Sequence, residues 1–501
     1  MPNENYFMGL DYGTQGVRCG IVDIGGNILA ISEEKYETTH PQPGWAEQHP
    51  ADWISSTETV INTCLAEVGK EVFANIQGVS ICATSSTVIA MDAADRPLRD
   101  AILWMDVRAV AQAKRINDTG HKVLRYCGNE VSVEWIVPKM MWLRDNEPEI
   151  FEKSQRIVEQ QDFINHYLTG QWCASISQAT CKSNYVEELG GFNEDYFHEI
   201  GFPEFFDKAE LDIKRQGEAI GHIRPELAER FGLSAGVNVY QGCLDAYVNM
   251  IGLGVCRPGG TGIVMGSSFV HLAIVDTPVF EDGIWGPYKD ALTPGTYCLE
   301  GGQISAGSIT KWFLKEFSVQ GENPYDVMAE EASRIPIGSD GVITLDFFQG
   351  NRTPYKDPMA KGVFYGLTLS HTRAHMYRSI LEGIAFGTRN VLDTIENGIS
   401  CITEIRGCGG VIRNGTWLKI IADVTGKPIV LTKHSDSAGA LGCAIVAAVG
   451  YGAYGSFEDA CDGMVQVTQV VEPSADATRQ YTKSYQKYLA IYEYLKLMMR
   501  E

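Results

Sequence analysis

The sequence predicts an α/β protein built from two halves of similar plan, with a ligand between them. Three observations carry this. Met8 to Asp23 reads as an apolar strand, a tight polar turn and a second apolar strand. Thr261 to Asp276 reads the same way about half the chain later, so that Gly266-Ser267 echoes Gly13-Thr14. Strand-like and helical runs alternate, as at 404–432, where strand, Gly-rich turn, helix and strand follow in order. That alternation is the pattern of sheets covered by helices. Unrelated hairpins also match each other over this length, so the echo is a weak sign of duplication.

The first hairpin is the stretch around which the rest is arranged. Asp11 ends its first strand. Gly13 and Gly16 keep the turn small, so that backbone N–H groups can face an anion closely. Thr14, Gln15 and Arg18 add side-chain donors. One carboxylate beside such a turn suits a metal–polyphosphate ligand, the carboxylate serving the metal and the turn the phosphates. An ordinary hairpin with a turn aspartate fits the same residues. If the echo is a duplication, each half opens with a phosphate-gripping turn and a nucleotide lies between them.

At 501 residues the chain is long enough for two to four domains. Its 45% hydrophobic and 21% charged residues are those of an ordinary globular protein. A net charge of −22 excludes the basic stripe of a nucleic-acid binder, though local donors can still hold an anionic ligand. Thirteen scattered cysteines without a C-x-x-C pair indicate neither a zinc ribbon nor a disulfide scaffold, and reduced thiols are expected. The N-terminal residues lack the pattern of a signal peptide, and no run of about 18 apolar residues occurs. A cytoplasmic protein is expected.

In order along the chain, Gly25-Gly26-Asn27 makes a second turn and the next run continues the sheet. A Pro- and Trp-rich loop at 41–53 leads to a helix reaching about Val72, with Asp52 as its N-cap. Residues 76–92 read as buried strand, all-hydroxyl turn (Thr84 to Thr87) and buried strand. The turn either lines a pocket for a polyhydroxy ligand or satisfies its own backbone. In ILWMDVRA, Trp104, Asp106 and Arg108 alternate and would share one face of a strand. That face is either a sugar-binding surface or an exposed Asp106–Arg108 pair with Trp104 in the core. Residues 109–190 are mostly helical, and Lys182 taken alone is an ordinary surface charge. From 236 an apolar strand ends at Gly242 and Asp245 opens a helix. An aspartate there is either a simple helix cap or an ionised group facing the crevice at the strand ends.

Residues 257–262, RPGGTG, read as the junction between halves. In the second half, Glu300 closes a strand and a helix follows from about Ser305. A Gly/Pro-rich loop precedes a long amphipathic helix. Gly409-Gly410 bring backbone close to something flat or anionic, and Asn414 can read a base edge. The run SDSAGALGCAIVAAVG is a small-residue helix suited to close packing. Tyr481, Tyr485, Tyr488, Tyr492 and Leu495 fall at spacings of three and four, one apolar stripe that docks on the protein itself.

A P-loop, a dinucleotide fingerprint, H-E-x-x-H and G-x-S-x-G are all missing, so phosphate binding falls to the hairpin turns. With these motifs assembled, the chain resembles the FGGY carbohydrate kinases over nearly its whole length. The most specific stretch is GVFYGLTLSHTRAHMYRSILE, Gly362 to Glu382, which matches the family's C-terminal signature, including Gly366, His375, Ser379 and Glu382. KMMWLRDN from Lys139 matches the second part of the N-terminal signature, while the residues before it depart from the pattern.

The resemblance implies two actin-like, ribonuclease H-like domains, 1–256 and 257–501, with the active site in the cleft between them. It implies ATP and Mg²⁺, a small sugar as partner, no nucleic acid and no membrane, and it allows a homodimer. Carried over residue by residue, Asp11 to Arg18 is the first phosphate loop, with Gly13, Thr14, Gln15 and Arg18 at ATP and Asp11 near the metal. The catalytic aspartate of the Gly-x-x-Asp element is Asp245, also beside the metal. Gly266-Ser267-Ser268 is the second phosphate loop, and Gly409, Gly410 and Asn414 belong to the adenosine pocket. Within the family, Ala83-Thr84-Ser85-Ser86, Thr180-Cys181-Lys182 and the stretch Leu299 to Gln303 are similar to ribulose kinases. This places Lys182, Glu300 and Asp245 around a ketopentose with Ser85 beside it, whereas Trp104, Asp106 and Arg108 form a block shared by the family. The implied reaction moves the γ-phosphoryl group of ATP to the terminal hydroxyl of a ketopentose, ribulose foremost. Xylulose, ribitol, erythritol or glycerol are alternative acceptors. A non-catalytic actin-like ATP-binding protein would be expected to lack Asp245, Lys182 and Glu300. At the ordinary carboxylate value of ~3.9, Asp245 would be ionised at neutral pH but a weak base.

Overall fold

The computed structural model describes residues 5–317, 319–397 and 402–500. Strands β1 (Tyr6–Gly13), β2 (Gly16–Asp23) and β3 (Ile28–Lys35) form an antiparallel meander. β4 (Ile76–Ala83) and β5 (Asn238–Tyr240) extend it on the other side of β1 in parallel. The strand order is therefore 3-2-1-4-5, with Ala219–His222 as an added antiparallel edge. β1 and β4 are apolar almost without alternation because both faces of the sheet are covered.

The second half repeats the plan. β6 (Thr261–Met265), β7 (Phe269–Val275) and β8 (Tyr297–Gln303) are the antiparallel meander, and β9 (Ile405–Cys408) and β10 (Ile429–Thr432) the parallel extension. Their order again follows 3-2-1-4-5, flanked by Trp285–Lys289 and Val467–Val471. The echo between the two hairpins thus marks equivalent places in two sheets of one topology. β8 continues three residues beyond Glu300, so that residue sits inside the strand and not at its end.

Two local expectations are corrected. Helix α1 (Pro50–Ala74) is capped by His49, whose Nδ1 accepts from Ala51 N–H at 3.2 Å, and Asp52 lies in its first turn. Proline at the first helical position sets that start, since its missing N–H costs nothing there. Residues 76–91 are buried strand, turn and buried strand as expected, with β4 in the main sheet and Val88–Met91 in a separate four-stranded sheet with 47–48, 101–102 and 156–159. The strand at 101 ends at Ile102, so Trp104, Asp106 and Arg108 lie on irregular backbone and share no strand face.

The remaining helices that matter to the site are α2 (Ile136–Asn146), α3 (Asp245–Gly252), α4 (Gly307–Glu316), α5 (Arg373–Glu396), α6 (Gly415–Thr425), α7 (Ala438–Tyr451) and α8 (Ala475–Leu495). The break after residue 256 does not divide the packing. α7 comes from the second half yet lies against β1, β4 and α3 of the first. Its Leu441, Ala444 and Ile445 share one core with Phe7, Val22 and Tyr247. A second core joins α5, α6 and α8 to the second sheet. α8 buries the four tyrosines of the stripe. The residues of the C-terminal signature are architectural. Glu382 binds Arg378, Ser339 and the Tyr481 hydroxyl, Ser379 meets Thr344 at 2.7 Å, and His375 completes the box capping α5.

Among the described residues no helix is long and apolar enough to cross a membrane. Twelve cysteines are buried free thiols, and the thirteenth, Cys401, lies outside the described residues.

Candidate active site between the two halves

A polar cleft of about 360 Å³ opens between the sheets. The first half contributes Thr14, the turn Thr84 to Ser86, Trp104, Lys182 and Asp245, and the second half Ser268, Trp285, Glu300 and Arg352.

Asp245 lines the cleft, and Asp11 lies close enough for its charge to act on Asp245. Asp11 is the sixth residue of β1, and Asp245 is the first residue of α3. α7 packs on both, and Gly439 in its first turn leaves room for the Asp11 carboxylate, which a Cβ there would strike. The small-residue composition of α7 therefore lets a helix start beside a buried acid. Burial raises the Asp11 carboxyl above its ordinary range, while the Cys82 thiol at 3.2 Å and the Arg18 guanidinium at 3.8 Å oppose the rise. Burial, and then the Asp11 charge, push Asp245 up to about 7, against the Ala246 N–H at 2.7 Å and Lys182. The weak carboxylate expected from sequence is thus replaced by a group poised near neutral pH, the range suited to a general base. Among the described residues no three His, Cys, Asp or Glu side chains converge as a complete metal cage. Two carboxylates, one of them deeply buried, instead fit a cation whose other ligands are phosphates and water.

Lys182 ends the short helix Ile176–Lys182 and reaches across to Glu300 at 3.3 Å, both buried. The Tyr247 hydroxyl donates to the same carboxylate at 2.9 Å. The Lys182 ammonium also lies 5.2 Å from the Trp135 ring centre and 5.7 Å from that of Trp285. An aromatic box around a buried ion pair keeps water from its flanks.

In the hydroxyl turn Thr84 and Thr87 bond each other at 2.9 Å and satisfy part of the turn. Ser85 and Ser86 line the cleft, and among the described residues the buried Ser86 hydroxyl has no partner. The Trp104 indole N–H donates to the Thr14 hydroxyl at 2.9 Å, so the aromatic wall is tied to the first hairpin turn.

Asp106 and Arg108 are not on the cleft surface. Both side chains are fully buried and pair with each other at 2.7 Å. Arg108 also binds Glu47 at 2.7 Å and lies over the Trp45 ring. Their alternation with Trp104 reflects a tight turn whose carboxylate accepts the N–H groups of Arg108 and Ala46.

A second cavity, of about 510 Å³, lies in the second half. It is lined by Gly266, Ser267, Thr310, Gly410, Asn414 and Trp417, among others. Ser268, in the same hairpin turn, lines the first cleft, so the two cavities border one turn. The α4 N-terminus closes on that turn, with Ala306 and Ser308 N–H groups donating to Ser267 O. Asn414 caps α6 through Oδ1, accepting from Trp417 N–H at 3.0 Å, which leaves its amide N–H₂ for a ligand. Gly409 is set back from the cavity. Its φ of +96° and a would-be Cβ 2.6 Å from Met265 O let the turn close onto β6. In the first hairpin Gln15 is exposed and lines neither cavity, and Arg18 is engaged by Glu33 at 3.1 Å. Gly16 is needed against β3, where a Cβ would lie 2.5 Å from Glu34 O, while Gly13 keeps the turn open.

Several cleft residues escaped the sequence reading: Glu134, Trp135, Tyr247, Asn249, Trp285 and Arg352. Asn249 stands four residues after Asp245 on α3, one helical turn on, which was a usable signal. Trp285 and Arg352 lie on segments without periodicity, and nothing local marks them.

The chain matches two family models, the N-terminal domain of the FGGY family of carbohydrate kinases over residues 6–252 and the C-terminal domain over 262–451. It is 30% identical to an FGGY carbohydrate kinase domain-containing protein of Xenopus laevis, covering 98% of this chain and 97% of the other. It is 28% identical to a ribulokinase of Halalkalibacterium halodurans, covering 98% and 94%. Among solved structures, a xylulose kinase from Rhodospirillum rubrum superimposes with a TM-score of 0.87 at 25% identity, over 99% of this chain and all of that one.

Proposed function

The chain belongs to the FGGY family of carbohydrate kinases and is a phosphotransferase with an alcohol acceptor; from that premise we propose that it moves the γ-phosphoryl group of ATP to the terminal hydroxyl of a ketopentose, with ribulose as the substrate. The observation that carries the reading is the shared turn: Gly266–Ser268 borders both the nucleotide-sized cavity and the polar cleft that holds Asp245. A triphosphate entering from the second cavity would end at the acceptor side.

In this reading adenosine lies along Gly410 and Asn414, and the phosphates along the amides of Gly266–Ser268 and of Gly13 and Thr14. Asp11, with Asp245 beside it, holds Mg²⁺. The ion, when bound, offsets the negative charge of the polyphosphate. Asp245 accepts the proton of the acceptor hydroxyl as its oxygen bonds to phosphorus, and the bond to ADP breaks ahead of it in a loose transition state. Lys182 and Glu300 take the sugar hydroxyls, with Ser85 and Trp104 as the opposite wall. The charged pair stays polarised because Tyr247 and the ring box hold it out of water.

Ribulose is favoured by the Lys182–Glu300 pair and by the name of the bacterial relative. Xylulose is the alternative, favoured by the structural neighbour. Coupled ADP release by the full chain, with MgATP and a panel of pentuloses and polyols, tests both. The highest kcat/KM is expected with ribulose. Preference for xylulose or a polyol shifts the substrate within the family, and no acceptor raising ADP release above the acceptor-free rate would sink the assignment. Chelation of Mg²⁺ should abolish the release and added Mg²⁺ restore it.

A further inference from the structure

KMMWLRDN contains a lysine that no step above uses. Lys139 lies in the first turns of α2 with its side chain wholly out of solvent. Its Nζ donates to three backbone carbonyls: Ser86 at 3.0 Å, Leu103 at 2.6 Å and Trp104 at 3.1 Å. Three donors meet three acceptors, so the ammonium is saturated. No carboxylate pairs with it directly among the described residues; Asp106, Glu134, Glu159 and Arg108 face it from further off. Burial draws the amine down to about 7, against the charges of Asp106, Glu134 and Glu159.

Burying an ammonium without an ion partner is costly, and an apolar side chain of the same length would fill the space. What the lysine holds is therefore the clue. Two of its acceptors belong to cleft residues. Ser86 has a φ of +59°, a left-handed conformation that a serine adopts only when its surroundings impose it. The next residue is gripped from the far side, where the Glu159 carboxylate accepts Thr87 N–H at 3.1 Å. Trp104 in turn donates to Thr14 in the first hairpin turn. One buried cation thus ties a helix, the serine turn and the tryptophan loop together directly behind the cleft.

We propose that Lys139 is a positioning residue for the acceptor: its three hydrogen bonds fix Ser85, Ser86 and Trp104 in the arrangement that takes the sugar. The proposal rests on the reading of that wall as the sugar side.

Steady-state kinetics of Lys139→Met and Lys139→Arg test it. Methionine keeps the length and removes charge and donors. Arginine keeps charge and bulk, but its planar fork cannot serve three carbonyls arranged around one nitrogen. In both variants sugar KM should rise at least tenfold while ATP KM stays within about twofold, measured below the melting temperature, which in Lys139→Met should fall because the Ser86, Leu103 and Trp104 carbonyls lose their donor. An unchanged sugar KM in either folded variant overturns the proposal. So does failure of both to yield folded protein, which would make the lysine a purely architectural group. Ser85→Ala and Trp104→Phe serve as the control. If they too leave sugar KM unchanged, the assignment of the wall has failed; if they raise it and the Lys139 variants do not, only the role of Lys139 has.

Discussion

Asp245 is a carboxylate whose surroundings make it useful. A solvated aspartate titrates near ~3.9 and takes protons poorly at neutral pH. Burial and the neighbouring Asp11 push this one up to about 7. Asp245→Asn keeps the shape and removes the base, so kcat should fall by about 10²–10⁴, or roughly 3–5 kcal/mol in barrier, with ATP affinity little changed. Single-turnover rates and nucleotide titration read the two quantities separately. Near-normal turnover would remove Asp245 from the chemistry. Lys182→Met leaves the Glu300 carboxylate buried without its cation, and removing one partner of such a pair typically costs about 3–5 kcal/mol. Chemical denaturation should show a loss of that order, together with a raised sugar KM. Local position marked Asp245 as an aspartate opening a helix after an apolar strand, which a simple helix cap explains as well, and only the family resemblance singled it out. The Lys182–Glu300 pair joins positions 118 apart, so nothing local links the two, and again only the resemblance put both at one site. Asp106 and Arg108 were misplaced because alternation is a strand signal only on extended backbone, and here the chain turns at Trp104.

At the scale of elements, α8 shows what periodicity tells and what it omits. Spacings of three and four identified a buried face. They did not say that each phenol would find an acid: Tyr481 meets Glu382, Tyr485 meets Asp393, Tyr488 meets Asp346 and Tyr492 meets Asp357, at 2.7 to 3.0 Å. The helix is docked by a row of charge-assisted bonds along an apolar seam. Asp346 is deeply buried, and burial pushes it up to about 6, with Tyr488 and Gln303 opposing the rise by donating to its two oxygens. A carboxyl raised above its unfolded value stabilises the fold most below about pH 4, and that contribution is lost as pH climbs through about 6. Tyr488→Phe removes a donor to the ionised form and raises the carboxyl further. The variant should therefore be destabilised by about 1–3 kcal/mol at pH 7.5 and by clearly less at pH 5. Urea unfolding at the two pH values measures the difference, and an equal loss at both would show that the hydroxyl matters only through packing.

Across the whole molecule, two sheets of one strand order were legible as a hairpin and its echo, because each hairpin is local in sequence. The interlock of the halves was not, because it depends on where a distant helix lands. α7 begins at Ala438, far beyond the expected junction at 257–262, yet covers the first sheet and its helix α3. Gly442 lies against the backbone of α3, where a Cβ would collide with Val248 O, so the two helices touch almost without intervening side chains. Residues 1–256 alone would leave Phe7, Val22 and Tyr247 open to water over the area α7 occupies, and would lose the helix that starts beside Asp11. Each large apolar side chain so exposed forfeits about 1.5–3 kcal/mol, and a few of them together are comparable to a domain's typical net stability of about 5–15 kcal/mol. Residues 1–256 produced alone should therefore be insoluble or should unfold without a cooperative transition. Co-production with residues 257–501 should recover a soluble complex with one transition and acceptor-dependent ADP release. Cooperative unfolding of 1–256 by itself would mean that α7 decorates a finished sheet, and that closure of the cleft is a motion between two independent bodies; its absence would mean that the helix pair α3–α7 is the axis about which both halves fold and the cleft closes.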